Sequence, residues 1–228
     1  MIADTVQVMQ SRSVLQGRGR NLRGEYPRQF RFRARRRSES GAALVEAAII
    51  LPVLMLFLLG IMEFGLVYAS GATATGASRS GARLAATSYA PAKTDSNSRR
   101  TAANAIADAV SADSKALTSA TPVGMVIYKV DSTSADGAPS GGWPGNNAFL
   151  SGGCSSNCFR YLWSGSPAKM TYSSGDWAVP DACGTTVDSI GVYVIIKHSY
   201  LTKLLGDSTY VTGRTIMRLE PLPTDQCS

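Results

Sequence analysis

Between Glu46 and Glu63 the chain runs for sixteen residues, Ala47 to Met62, without a charge. Counted from Ala42 to Met62, 21 small or apolar residues are interrupted only by Glu46. A helix needs roughly 20 apolar residues to cross the hydrocarbon core of a bilayer, so this stretch is long enough to span one. A soluble helix of this length normally keeps a polar face, and none is visible here, which argues against a buried core helix. A cleavable secretory signal is the stronger rival. The basic flank suits it, and Ala69, Gly71 and Ala72 offer small residues for cleavage. Signal h-regions, however, run to about 7–15 residues. The longer run, with Glu46 inside it, favours a retained transmembrane helix over residues 42–69.

The charge distribution supplies an orientation. Residues 1–41 hold ten arginines against Asp4, Glu25 and Glu39, which accounts for the whole net charge of +7 and leaves the remainder neutral. Arg35, Arg36 and Arg37 stand just before the apolar run, whereas its far side opens on Ser70, Gly71 and Ala72. Basic flanks stay cytoplasmic, so the amino end is expected inside and everything beyond Ala69 outside. Few apolar residues and the breakers Gly17, Gly19, Gly24 and Pro27 make residues 1–41 a disordered basic leader lying against anionic head groups. Nucleic-acid binding by its arginines is not expected, since no recognition fold or aromatic platform accompanies them.

Three residues inside the run carry further information. Glu46 lies in the first turns of a membrane helix, where an unpaired carboxylate costs a few kcal/mol and is a functional candidate by default. Pro52 removes one backbone hydrogen bond and is expected to kink the helix, which membrane helices tolerate. Glu63 sits near the outer end and is read as an interfacial anchor whose carboxylate reaches head groups or water.

Past the membrane the helix is expected to continue over residues 70–90, where nearly every residue is small and Leu84 is the only large aliphatic. Small residues let helices approach closely, which suits packing against identical helices in a fibre; a flexible Gly/Ala/Ser linker is the alternative. Pro91 ends the segment. Residues 91–228 read as an α+β domain. A second helix over Asp95–Leu117, capped by Asp95 or Ser96, carries the stripe Ala102, Ala105, Ile106, Ala109 and Val110 and should lie on a small antiparallel sheet. Strands are predicted over Thr121–Val130 (Val126, Tyr128 and Val130 on one face), Ser189–Tyr200 and Tyr210–Leu219. Leu201–Leu205 reads as a short helical turn. Between the first two strands lies a Gly/Ser/Pro-rich insert, 131–188, with short strands expected around Phe159–Trp163 and Lys169–Tyr172.

Cys154, Cys158, Cys183 and Cys227 allow three full pairings. Zinc is the competing use, but Cys-x-x-x-Cys is looser than a zinc ribbon and the sole histidine, His198, falls in a strand. An exported domain favours disulfides. Because Cys154 and Cys158 would close only a small loop, the preferred pairing joins one of them to Cys183, with Cys227 tethering the carboxyl end. His198 is read as a strand residue with a satisfied hydrogen bond. No nucleophile elbow, P-loop or histidine metal motif occurs, and the calcium-loop likeness of Asp131–Gly137 fails because Ala135 takes a ligand position and no glutamate closes it, so neither catalysis nor a cofactor is expected.

Glycine, four small or apolar residues, glutamate and a hydrophobic helix, Gly41 to Glu46 and onward, resembles the site that prepilin peptidases recognise in type IV pilins. The continuation from Ala48 to Gly65, with Pro52 and Glu63-Phe64-Gly65, resembles the TadE/TadG-like pseudopilins of tight-adherence pili. Residues 77–86 and the Thr215–Pro221 ending are also similar to that family. The resemblance implies a pilin-like fold, cleavage between Gly41 and Ala42, and a structural rather than enzymatic role in surface attachment. It also implies other pilin-like subunits, pilus assembly machinery and a prepilin peptidase as partners. Cleavage would leave an amino group on Ala42, one turn from Glu46, free to pair with the Glu46 carboxylate of a neighbouring subunit. A permanently anchored protein whose outer domain binds a partner or braces the secretion channel is the alternative.

Overall fold

A computed structural model describes residues 40–89, 95–115, 117, 119–139, 154–177, 181–183 and 186–227. The basic leader with Arg35, Arg36 and Arg37, and Pro91, lie outside the described residues. The chain divides into Met1–Ala47 and Ala48–Ser228; the described part of the first is the opening of the long helix. The class is α+β, as the sequence predicts.

Helix α1, Ser40–Ser88, is a single 49-residue element that runs through Pro52 without interruption. Its character changes at Glu63. The apolar stretch before it is exposed almost all round. From there on, Glu63, Ser70, Ala74, Ala77, Ser78, Ala82 and Ala85 are buried along one face of the helix. These small residues do not wait for a neighbouring subunit. Ala74, Ala77, Ala82 and Ala85 share one core with Val192, Val194 and Ile196 of the chain's own sheet. The expected fibre-packing stripe is therefore an internal helix–sheet seam, and the linker reading is excluded.

Helix α2, Ser96–Ser114, begins where predicted, with the Asp95 carboxylate accepting the N–H groups of Asn97 and Ser98. Such a cap satisfies donors that the first helical turn leaves without partners. The helix ends before the predicted Leu117. Its buried face is rotated from the predicted stripe: Ala103, Ile106, Ala107 and Val110 are buried, whereas Ala105 is exposed. The apolar residues alone do not define this face, because Arg99, Ser111 and Ser114 also lie on it.

Among the described residues five strands form one antiparallel sheet: β1 (Ala120–Lys129), β2 (Cys158–Gly165), β3 (Ala168–Ser174), β4 (Ser189–Ser199) and β5 (Ser208–Arg218). Their order across it is β3-β2-β1-β4-β5. The predicted short strands of the insert are thus a full hairpin, β2–β3, added to the β1 edge. Residues 201–205 are turns and bends, not helix. On the helix-bearing face, Met125, Ile127, Phe159, Tyr161, Ile190, Val192, Val194 and Ile196 meet α1 and α2. On the other face Val126 and Tyr128 pack with Cys154 and Cys158, so the insert covers the back of β1. Strand β1 is consequently buried on both sides, unlike a half-exposed strand.

Candidate functional site

The features that bear on function fall along α1. At its start Gly41, Ala42 and Glu46 are exposed. Ala42 and Glu46 are four residues apart and share a helix face. A Cβ added at Gly41 would meet nothing within 4 Å, so packing does not require glycine there. Downstream, α1 is long and apolar enough to cross a membrane, and the most apolar 18-residue window is not buried at all. Leu54, Met55, Leu58 and Leu59 are exposed along with their neighbours, so this face of the helix has no partner within the described fold.

Where α1 meets the sheet, three polar side chains are buried together with small ones. Glu63 is 1 % exposed, not the solvent-facing anchor expected of it, and its Oε1 accepts the Leu201 N–H at 2.6 Å. The carboxylate thus holds the beginning of the loop between β4 and β5. Two turns on, the Ser70 hydroxyl donates to the Leu66 carbonyl at 2.9 Å and lies 3.1 Å from His198 Nδ1. His198 is a strand residue, as expected, and fully buried, but only half satisfied: its Nε2, like Glu63 Oε2, has no hydrogen-bond partner among the described residues. Two further turns on, the Ser78 hydroxyl meets that of Thr215 at 2.8 Å. Gly213 is needed between these contacts, because a Cβ there would collide with the Ala74 carbonyl.

The far end of α1 is pinned by aromatics. Tyr89 donates its hydroxyl to the Trp177 carbonyl at 2.8 Å and packs edge-on to Phe159, with ring centroids 5.8 Å apart. Burial raises the Tyr89 pKa well above the usual phenol range, so it remains a donor. Beside it, Arg99 forms an ion pair with Asp176 at 2.9 Å, and this hydrogen-bonded guanidinium holds the aspartate below the usual carboxylate range. Neither contact carries a sequence signal, since the partners lie 88 and 77 residues apart.

The cysteines pair as Cys154–Cys158 and Cys183–Cys227. The preferred link of Cys154 or Cys158 to Cys183 is therefore incorrect, although Cys227 does tether the carboxyl end. Asn157, in the left-handed region at φ 57°, reverses the chain so that the Cys154 and Cys158 Cα atoms come within 5.6 Å. That lies inside the usual bridging range.

Residues 41–83 match the family model described as TadE-like protein, a family associated with the tight-adherence (Tad) pilus and structural in kind. The match begins at Gly41 and covers α1 as far as Arg83, leaving the sheet and the cysteines outside it. None of the curated proteins or solved structures matches the chain.

Proposed function

From the match of residues 41–83 to the TadE-like family, we propose that this chain is a membrane-anchored, pseudopilin-like subunit of a tight-adherence pilus assembly system. In this reading α1 spans the cytoplasmic membrane with the basic leader inside and the α+β domain outside. A prepilin peptidase removes the leader after Gly41. The observation that carries the reading is the coincidence of the family match with an exposed apolar helix whose outward face is unpartnered. Gly41 adds support: no packing constraint explains a glycine there, whereas recognition by a processing enzyme would. Once cleaved, the new Ala42 ammonium and the Glu46 carboxylate of a neighbour would pair in the apolar interior of an assembly and set its axial register. Two paired disulfides suit a domain that folds in an oxidising compartment.

The mature amino terminus tests this directly. Cleavage after Gly41 yields Ala42 as the first residue, a permanently anchored protein keeps its leader, and a signal-peptide substrate starts beyond Ala69. Gly41→Leu should abolish cleavage without affecting the fold. Glu46→Gln should leave insertion and cleavage intact but empty the sheared surface fraction, because stripping one partner from a buried pair costs about 3–5 kcal/mol. Normal assembly by Glu46→Gln removes the charge-pair role.

A further inference from the structure

The loop between β4 and β5, residues 200–207, exposes leucines where the fold offers them no cover. Leu201, Leu204 and Leu205 are 60 %, 66 % and 55 % exposed. The loop is nevertheless well defined: the Tyr200 N–H is donated to the Asp207 carbonyl at 3.1 Å, and Lys203 and Gly206 take positive φ values of 57° and 109°. Its position along α1 is set by the Glu63–Leu201 hydrogen bond. From there the loop runs beside the apolar helix. Leu204 and Leu205 line one wall of a groove of about 310 Å³ whose other wall includes Phe57, Gly60 and Ile61. At 1.5 Å rise per residue, Phe57 lies about 9 Å below Glu63 along the helix.

These placements assign an occupant by depth. If Ala47–Met62 lies in the hydrocarbon core, Glu63 marks its outer boundary, and a loop beside Phe57–Ile61 is below the head groups. We propose that the β4–β5 loop is a second membrane contact, seating Leu201, Leu204 and Leu205 in the outer leaflet alongside α1. Phe57, Ile61 and Phe64 are exposed and line the same apolar groove as Leu204 and Leu205. Amphipathic segments that lie in an interface typically bury their apolar side about 5–10 Å deep, which matches the reach of this loop. Lys203, exposed between the leucines, has the length to return its ammonium to lipid phosphates. Two contacts on one side of the sheet would hold the domain at a fixed tilt, where a lone helix would let it swivel.

This inference rests on α1 spanning the membrane, so its test includes both. The full chain, with its native cysteines paired, is reconstituted in phospholipid liposomes carrying one spin-labelled cysteine at a time: Leu204→Cys, Leu205→Cys, Phe57→Cys or Ser132→Cys. Ser132 follows the Lys129 end of β1, which pairs with Ile190 at the opposite end of β4 from His198. Collision with lipid-soluble oxygen is compared with collision with a water-soluble nickel chelate. Oxygen should dominate at positions 57, 204 and 205, and nickel at 132. Nickel dominance at 204 and 205 with oxygen dominance at 57 overturns the loop contact and spares the spanning helix. Nickel dominance at 57 as well removes the spanning helix and the proposal with it. Shielding from both reagents at 204 and 205 shows a protein cover, such as a second copy, and also overturns the lipid assignment.

Discussion

Replacing Glu63 by leucine separates the two roles open to that residue. As an interfacial anchor, its loss would be nearly silent in the folded domain. As the buried acceptor of the Leu201 N–H, at 2.6 Å, its loss leaves a backbone donor without a partner where β4 gives way to its loop. Hydrogen bonds to charged groups contribute about 1.5–3 kcal/mol, so local opening of the loop should become easier by that amount. With about 1.4 kcal/mol per factor of ten, the Leu201 amide should exchange roughly 10- to 150-fold faster in Glu63→Leu. Glu63→Gln keeps a side-chain oxygen acceptor and should fall between the parent and Glu63→Leu. The measurement is amide hydrogen exchange on the chain in a lipid or detergent environment. Val194, paired with Gly213 and Met125 in the centre of the sheet, serves as the reference. Unchanged exchange at Leu201 refutes the reasoning. So does equal acceleration at Val194, because the effect would then be global and not confined to the loop.

Non-reducing peptide mapping should recover Cys154–Cys158 and Cys183–Cys227 with no free thiol. Breaking the second link with Cys227→Ser should cost more, about 4 kcal/mol against about 2 for the first by chain entropy, because its sequence separation is 44 residues against 4. Any bond from Cys183 to Cys154 or Cys158 would contradict this arrangement. Gly213→Ala places a methyl group against the Ala74 carbonyl and should lower stability by about 1–3 kcal/mol, read as a reduced thermal midpoint of the oxidised protein. An unchanged midpoint would mean that the helix–sheet seam yields without cost. Asp176, its pKa lowered by Arg99, adds stability above the ordinary aspartate range, near pH 4, because the unfolded chain takes up the proton first. That contribution should fade as the pH drops from there toward the lowered folded value. Partial exposure limits it to about 1 kcal/mol or less. Asp176→Asn should remove this part of the acid dependence; the same slope in parent and variant would assign it elsewhere.

The amino-acid sequence by itself determined the features that arise from neighbours along the chain. An uncharged apolar run dictates the long helix, Asp95 followed by Ala-rich periodicity dictates the start of α2, and a run of β-branched and aromatic residues dictates β4. The likeness of residues 41–83 to the TadE-like family was legible for the same reason, because it is carried by contiguous residues. Only the tertiary structure decided what the long-range contacts do. The small residues from Ser70 to Ala86 are equally fit for a sister helix or for the chain's own sheet, and the close approach of Gly213 chose the sheet. Glu63 reads as a surface carboxylate until an N–H 138 residues away is brought to it. The cysteine pairing turned on a reversal at Asn157 that composition does not reveal. In each case the deciding partner is remote in sequence, and its choice depends on strand order and packing geometry, which local periodicity does not encode.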